Sequence, residues 1–439
     1  MMPQSLRVAL AGLGTVGTGV HTVLSRNADI IRQRSGRAVE LVGLADLDLN
    51  KAQALSHGQC LVFADALAML RETKPDVVVE LIGGYGFARE FVLAAIDQGC
   101  SVVTANKALL AVHGRELFDR AQKAGVTIGY EAAVAGGIPI IKALREGLTA
   151  NEIEWVAGII NGTTNFILSE MRDKGLPFEE ALSQAQALGY AEADPTFDIE
   201  GVDAAHKITL MASLAFGMPV NFQAAHVEGI SKLSSQDIAY AEQLGYRIKL
   251  IGLTRRRSSG IELRVHPTLI PSPQLLANVE GAMNAVLVKG DAVGQTLYYG
   301  KGAGSEPTAS AVIADLVDLA RLNASEGQRA SVPMLSFQPE HLRDLPVLAI
   351  AECETGFYIR LRVLDQPGVL ADITRALADG GISIDAFVQK APQHGTAEAE
   401  VVLLTHRCIE RDLRLAVSRM VQLPSVLNEP ITLRVEDLA

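Results

Sequence analysis

Glu192, Asp194, Asp198, Glu200 and Asp203 crowd the stretch GYAEADPTFDIEGVDAAHK (189–207), which closes on a single lysine, Lys207. Acidic runs of this kind are most often solvated loops. Here residues 201–217 carry a helical pattern, so Asp203 and Lys207 stand four residues apart on one face. An exposed pair at that spacing contributes only ~0.3–0.5 kcal/mol. The same stripe runs on into Leu210 and Leu214, which turns the charged end toward an interior. A lysine placed there is a candidate proton donor, because burial or a second cation lowers an ammonium pKa from its ordinary ~10.4. Lys107 is the candidate second cation, and Glu192 and Asp203 are carboxylates fit to hold a substrate ammonium group.

Glycines supply a second kind of chemistry. In AGLGTVGTGV, the residues Gly12, Leu13, Gly14, Thr15, Val16 and Gly17 follow an apolar run and open a helical one. In that context glycines make a tight turn and bring backbone N–H groups to a pyrophosphate at the positive end of a helix dipole. Asp46, ending the next apolar run, is placed to bind both hydroxyls of an adenosine ribose, or else to cap the following helix. No arginine follows it in ADLDLNKAQ, which favours NAD over NADP. Asn106 and Lys107, in VVTANKALLAVHG, fall at the carboxyl end of a strand, the edge where open α/β sheets bind ligands. A cation is unfavourable at a helix N-terminus, so Lys107 is a functional candidate.

Two further glycine-rich stretches are open to more than one reading. GYEAAVAGGIPII combines Glu131 with small residues whose carbonyl oxygens can converge. Oxygen donors suit a hard cation; a plain domain-crossing hinge is the alternative. YGKGAGSEPTASAV, with Ser305 as N-cap and Pro307 in the first turn, either wraps a cofactor or only leads into a helix.

These residues need elements to hold them. LRVALAG (6–12), VELVGLAD (39–46), DVVVELI (76–82), SVVTAN (101–106) and VTIGYE (126–131) are short apolar runs. Helices are predicted between them over 18–35, 86–98 and 107–124. The alternation predicts βαβ units and a parallel sheet covered on both faces. After GGIPIIKALREGL the pattern changes. A strand over 152–160 precedes helices in TTNFILSEMRDK and PFEEALSQAQALG. Strands over 246–256, 260–271, 284–290 and 293–300 then lie close together, predicting a largely antiparallel sheet backed by helices. RASVPMLSFQPEHLRDLP (329–346) is a proline-punctuated linker. Beyond it the order strand, helix, strand, strand, helix near 409–422, strand forms a small βαββαβ unit. The expected layout is a Rossmann-type nucleotide-binding domain over 1–135, completed by helix 305–322, an α+β domain over 136–304, a linker over 323–349 and a third domain over 350–439.

Bulk composition narrows the function classes. The 439 residues suffice for two or three domains. With 49% hydrophobic and 20% charged residues the chain is expected to pack, not to be disordered. The net charge of −11, with no basic run longer than Arg255-Arg256-Arg257, argues against a nucleic-acid or anionic-membrane surface. No apolar run approaches the ~18 residues of a membrane span, and MMPQSLRVALAGLG lacks a signal-peptide layout. Cys60, Cys100, Cys353 and Cys408 show no paired spacing and fit a reducing cytoplasm.

Taken in order, GLGTVG, ELIGG, TANKALLA, EAAVAGGIPII, NGTTNFIL, LGYAEADPTFDIEGVDAAHK and RVHPTLIP resemble the homoserine dehydrogenase family, in its form with a C-terminal ACT domain. The resemblance spans essentially the whole chain. It implies reversible hydride transfer between NAD or NADP and C4, interconverting L-aspartate 4-semialdehyde and L-homoserine. Lys207 matches the family's general acid/base and Lys107 its second active-site lysine. Glu192 and Asp203 match residues that bind the amino acid, Tyr190, Gly162 and Thr163 line the pocket, and Asp198 supports it. Gly83, Gly84, Asn106 and Gly302 join the coenzyme contacts. Glu131, Val134, Gly136 and Ile138 match a monovalent-cation site, usually sodium. The middle domain is then catalytic and dimerising, the assembly a homodimer or homotetramer. DQPGVLADITRALADGGISI implies an amino-acid effector, with threonine the leading candidate, framed by Gly368-Val369-Leu370 and the second strand. Other ACT-containing dehydrogenases, such as phosphoglycerate dehydrogenase, typically use a histidine acid/base, and no histidine here has a convincing setting. A non-catalytic amino-acid sensor would not need the lysines and pocket carboxylates.

Overall fold

The computed structural model describes residues 4–323, 332–390 and 397–438, so the first three residues of the linker stretch 329–346 lie outside the described residues. Short, largely apolar runs of two to seven residues form a parallel six-stranded sheet. Its order is Leu61–Phe63, Val39–Ala45, Leu6–Ala11, Val77–Glu80, Ser101–Thr104, Ile128–Gly129. Alternation along the central strand sends Leu6, Val8 and Leu10 into one apolar cluster and Ala9 and Ala11 into another, so both faces are buried. The strand order reverses between Leu6–Ala11 and Val77–Glu80, which makes the carboxyl edge there a ligand crevice. Helix Ser305–Asn323 returns to this sheet from much later in the chain: Ala309, Val312 and Leu316 join the Leu6 cluster. Arg26 pairs with Glu306 at 2.7 Å across the helix–helix contact.

Several expected elements differ. The single helix over 18–35 is two, Thr15–Arg26 and Ala28–Ser35, because Asn27 leaves helical geometry at φ −108°, ψ 18°. VTIGYE extends only over Ile128–Gly129 before a 3₁₀ turn, Glu131–Ala133. Helix Leu49–Ser56, strand Leu61–Phe63 and helix Ala66–Thr73 were not anticipated; Asp48 and Asp65 cap the two helices by accepting backbone N–H bonds. Ser305 is not an N-cap: its hydroxyl donates to the Thr15 carbonyl at 2.8 Å.

The remaining strands make one sheet. Gly294–Lys301, Met283–Gly290, Ile153–Ile159, Tyr246–Arg257 and Gly260–Pro271 run antiparallel in that order. The sheet continues through Ile431–Val435, Glu354–Leu364, Glu398–Thr405 and Ile384–Lys390, the strands of the βαββαβ unit. The junction is parallel, with Thr268 opposite Arg434 and Leu269 opposite Val435. Ion pairs reinforce it: Arg434 binds Glu228 at 2.8 and 2.9 Å and Glu410 at 2.7 and 2.8 Å. Arg255 reaches Glu436 at 3.1 Å.

Helix Val202–Phe216 packs against the middle sheet, and every residue from Asp203 to Phe216 is buried. A helix apolar on nearly all sides lies in an interior, and that placement removes Asp203 and Lys207 from water. Among the described residues no helix is long and apolar enough to cross a membrane.

Candidate active site at the junction of the two sheets

Glycine geometry shapes the crevice. Gly12 has φ +92°, and a Cβ there would overlap the Leu81 carbonyl; a Cβ at Gly17 would overlap the Gly12 carbonyl. Gly14 faces open space and begins helix Thr15–Arg26 with no side-chain cap. The helix N-terminus is thereby left free for an anion. Asp46 holds the turn by accepting the Leu13 N–H at 2.6 Å, and its other oxygen accepts the Asp48 N–H at 2.9 Å. Capping of the next helix falls to Asp48, so the capping alternative for Asp46 does not hold.

Gly83 and Gly84, at φ +83° and +66°, form the neighbouring loop. Glu80 and Thr104, which the sequence patterns did not single out, help to fix it. Buried Glu80 accepts the Ile82 and Gly83 N–H groups at 2.8 and 3.2 Å and the Thr104 hydroxyl at 2.6 Å. Asn106 donates to the Gly84 carbonyl at 2.6 Å and caps helix Lys107–Ala124 through Leu109 N–H. A carboxylate inside the otherwise apolar VVVELI was the available signal.

Lys107, at the start of that helix, reaches across to the second domain. Its Nζ lies 3.1 Å from Asp203 Oδ1 and 5.9 Å from the centre of the Phe197 ring. These contacts offset the unfavourable helix end. Lys207 Nζ donates to Asp203 Oδ2 and to the Ile160 carbonyl, both at 2.6 Å. Asp203 is therefore bracketed by two ammonium groups. Asn161, also missed, donates to Asp203 at 2.8 Å and Asp198 at 2.7 Å while capping helix Gly162–Lys174 through Thr164 N–H. Thr163 donates to the Tyr190 carbonyl at 2.6 Å and to Asp198 at 3.3 Å. Lys107, Lys207, Asp203, Asp198, Thr163 and the Tyr190 backbone thus form one network. Glu192 does not join it: its carboxylate is exposed and makes no hydrogen bond or ion pair among the described residues.

The electrostatics follow from burial. Desolvation holds the Lys207 ammonium below its ordinary pKa and Lys107 pushes the same way, while Asp203 opposes them. Burial alone would raise Asp203, but Lys207 and Lys107 keep it well below the usual carboxylate range. Asp198 is raised by burial and then by Asp203. His206 is pushed down to about 4 by burial and packs edge-on between Phe197 and Phe222, so it is a neutral wall. Such a site presents a buried amine that gives up its proton more readily than an ordinary lysine.

The GYEAAVAGGIPII stretch packs against the loop that carries Gly302, with Gly137 N–H donating to the Lys301 carbonyl at 3.0 Å. Ala135 and Gly136 both have left-handed backbones, and a Cβ at Gly136 would stand 2.6 Å from the Gly302 carbonyl oxygen. Glu131 accepts the Ile141 and Lys142 N–H groups at 2.9 and 2.8 Å, and burial, then Asp315, pushes it up to about 7. Among the described residues the Val134 and Gly136 carbonyls receive no hydrogen bond, whereas the Ile138 carbonyl accepts the Ile140 N–H at 2.8 Å. No group of three or more His, Cys, Asp or Glu side chains suited to a metal occurs among them.

A dinucleotide-type sheet whose crevice adjoins a buried lysine is the framework of a nicotinamide-dependent oxidoreductase. Comparison with known proteins resolves the class. Residues 139–317 match the homoserine dehydrogenase family, 12–131 the homoserine dehydrogenase NAD binding domain and 357–425 the ACT domain. A homoserine dehydrogenase of Pseudomonas aeruginosa is 54% identical, covering 99% of this chain and 100% of that one. One from Neisseria gonorrhoeae is 53% identical, with 99% of each chain covered. A crystal structure of a homoserine dehydrogenase from Thiobacillus denitrificans has a TM-score of 0.95 and 57% identity over 99% of each chain. The chain belongs to the homoserine dehydrogenase family, with a nucleotide-binding domain, a catalytic sheet and a C-terminal ACT domain.

Proposed function

We propose that this chain interconverts L-homoserine and L-aspartate 4-semialdehyde in threonine, methionine and isoleucine biosynthesis, with Lys207 as the general acid/base. Bound NAD or NADP supplies or accepts the hydride at C4. The observation that carries the roles is Asp203 bracketed at 2.6 and 3.1 Å by Lys207 and Lys107. In the oxidative direction Lys207 as the free amine takes the hydroxyl proton; in the reductive direction its ammonium returns a proton to the developing alkoxide. Lys107 stabilises that oxygen's charge and keeps the Lys207 amine accessible to titration. Asp203 and Glu192 receive the substrate ammonium, Gly162, Thr163 and Tyr190 line the pocket, and Asp198 holds Thr163 and Asn161 in place.

The coenzyme contacts assigned are Gly12 to Gly17, Asp46, Gly83, Gly84, Asn106, Lys107 and Gly302. Asp46 with Leu47 beside it, in place of an arginine, supports NAD over NADP. Glu131 and the carbonyls of Val134 and Gly136, which accept no hydrogen bond among the described residues, fit a monovalent cation, with Ile138 the weaker partner because its carbonyl is engaged. Sodium is the expected ion, and it would offset the burial of Glu131 and brace the hinge against Gly302. At the ACT unit, Gly368 (φ +96°) at the start of helix Val369–Ala378 supports an effector site, threonine being the candidate. A cytoplasmic homodimer or homotetramer completes the proposal.

Following absorbance of the reduced coenzyme with homoserine, using NAD and NADP in turn and with or without threonine, tests this reading. Turnover is expected with both substrates present and lost in Lys207→Ala. Turnover in that variant at the wild-type rate would remove Lys207 from the chemistry.

A further inference from the structure

Asn284 stands in strand Met283–Gly290 with only 1% of its surface exposed, and among the described residues its buried Oδ1 has no hydrogen-bond partner. An amide so buried adds nothing to stability that an apolar side chain would not supply better. Its surroundings give it another use. A Cβ at Gly302 would overlap Asn284 Nδ2, and a Cβ at Gly162 would stand 3.6 Å from Asn284 Oδ1 and 2.8 Å from the Ala282 carbonyl oxygen. Across the sheet Asn284 faces a third glycine, Gly300. The carboxamide therefore fills a slot that glycine backbones leave between the start of the Gly162 helix and the Gly302 loop.

The slot is held from behind. Asn165, on helix Gly162–Lys174, donates to the carbonyls of Val279, Gly281 and Met283 at 3.0, 2.9 and 3.2 Å. Lys249 Nζ, itself buried, bonds Asn165 Oδ1 at 3.2 Å and the Val279 carbonyl at 2.6 Å. The segment leading into Asn284 is thus tied to the helix whose first residue is Gly162.

We propose that Asn284 is a positioning residue of the dehydrogenase site, whose carboxamide sets the spacing between the Gly162 helix start and the Gly302 loop, and with it the alignment of substrate and coenzyme. The inference rests on the assignment of Gly162 to the substrate and Gly302 to the coenzyme. Small errors in alignment cost rate more than binding.

The test is a double-mutant cycle on the full-length enzyme, measuring kcat and both KM values, with melting temperature as the check on folding. Asn284→Ala is expected to lower kcat about tenfold or more with a smaller change in either KM. Gly302→Ala, which pushes its new methyl into the amide, is expected to raise the coenzyme KM and lower kcat. The double variant is expected to be more active than Gly302→Ala alone, because the overlapping atom has gone. Wild-type kcat in a folded Asn284→Ala enzyme, or strictly additive losses in the cycle, would overturn the spacer role. An unchanged coenzyme KM in Gly302→Ala would instead overturn the coenzyme assignment of Gly302, and the spacer role with it.

Discussion

Asp203 and Lys207, one helical turn apart, are joined at 2.6 Å with 4% and 8% of their surfaces exposed. On a wet surface that spacing is a minor stabiliser. In an interior both charges lose their hydration, and the pair persists only where other groups complete it. Asn161, the Ile160 carbonyl and Lys107 do so here. The arrangement leaves the amine easier to deprotonate than an ordinary lysine, a costly state for a fold and a useful one for proton transfer.

Removing the amine should stop the chemistry and spare the fold. Lys207→Ala is expected to lower kcat by about 10²–10⁴-fold, with coenzyme binding by fluorescence titration unchanged. Lys207→Arg should not restore activity, since a guanidinium does not deprotonate in proteins. Recovery by arginine would mean that charge alone, without proton exchange, is what the position supplies.

The pH profile carries a sign. Homoserine oxidation needs the free amine, so kcat/KM should rise with pH and level off at a midpoint below the ordinary lysine value of about 10.4. Burial and then Lys107 lower the Lys207 pKa, whereas Asp203 raises it. Lys107→Met should therefore move the midpoint upward and Asp203→Asn downward in whatever activity remains. A midpoint shift in the opposite direction for both variants would assign the profile to another group.

Much of this site is legible in the sequence wherever charge interrupts an apolar pattern. The Asp203–Lys207–Leu210–Leu214 stripe indicates an interior, and the burial of all four residues agrees. The glycine turn at 12–17 is equally plain. Asn161, Glu80 and Thr104 are not, because each acts through partners brought close only by folding: Asn161 meets residues 37 and 42 positions away, Thr104 one 24 away. The parallel junction between the second domain and the ACT unit rests on two residue pairs, Thr268 with Arg434 and Leu269 with Val435. No local periodicity specifies such a neighbour. The helix over 18–35 misled for a simpler reason: Asn27 keeps the polar–apolar rhythm but leaves helical geometry.

Glu192 is an exposed carboxylate without a partner among the described residues, in the loop whose Tyr190 carbonyl is anchored by Thr163. A substrate ammonium would complete it. Glu192→Leu is expected to raise the homoserine KM about tenfold or more, the scale of a lost charged hydrogen bond, with the coenzyme KM unaltered. Equal homoserine KM values in the two enzymes would take Glu192 out of the pocket.

Coenzyme choice should depend on Asp46. Its carboxylate closes the glycine turn through Leu13 N–H, and at the coenzyme ribose, as proposed, it would repel a 2′-phosphate. Asp46→Asn keeps an acceptor for Leu13 while removing the charge. The ratio of kcat/KM for NAD to that for NADP is expected to fall in this variant. A ratio that stays constant would place discrimination elsewhere.

The junction with the ACT unit should be the acid-sensitive part of the molecule. Burial alone would raise Glu436, yet Arg264 and Arg255 hold it down to about 2. Glu228 is likewise held below the carboxylate range, against burial, by His226 and Arg434. A depressed folded-state pKa contributes stability that is fully present above the unfolded value of about 4.3 and is lost as pH falls through the folded one. Urea unfolding should therefore show a steep loss of stability between about pH 4.3 and 2. Glu436→Gln should lower stability at pH 7, because it leaves Arg264 and Arg255 short of a buried counter-charge, and should flatten the dependence in that window. An unaltered slope in the variant would mean that the acid response comes from carboxylates outside the seam.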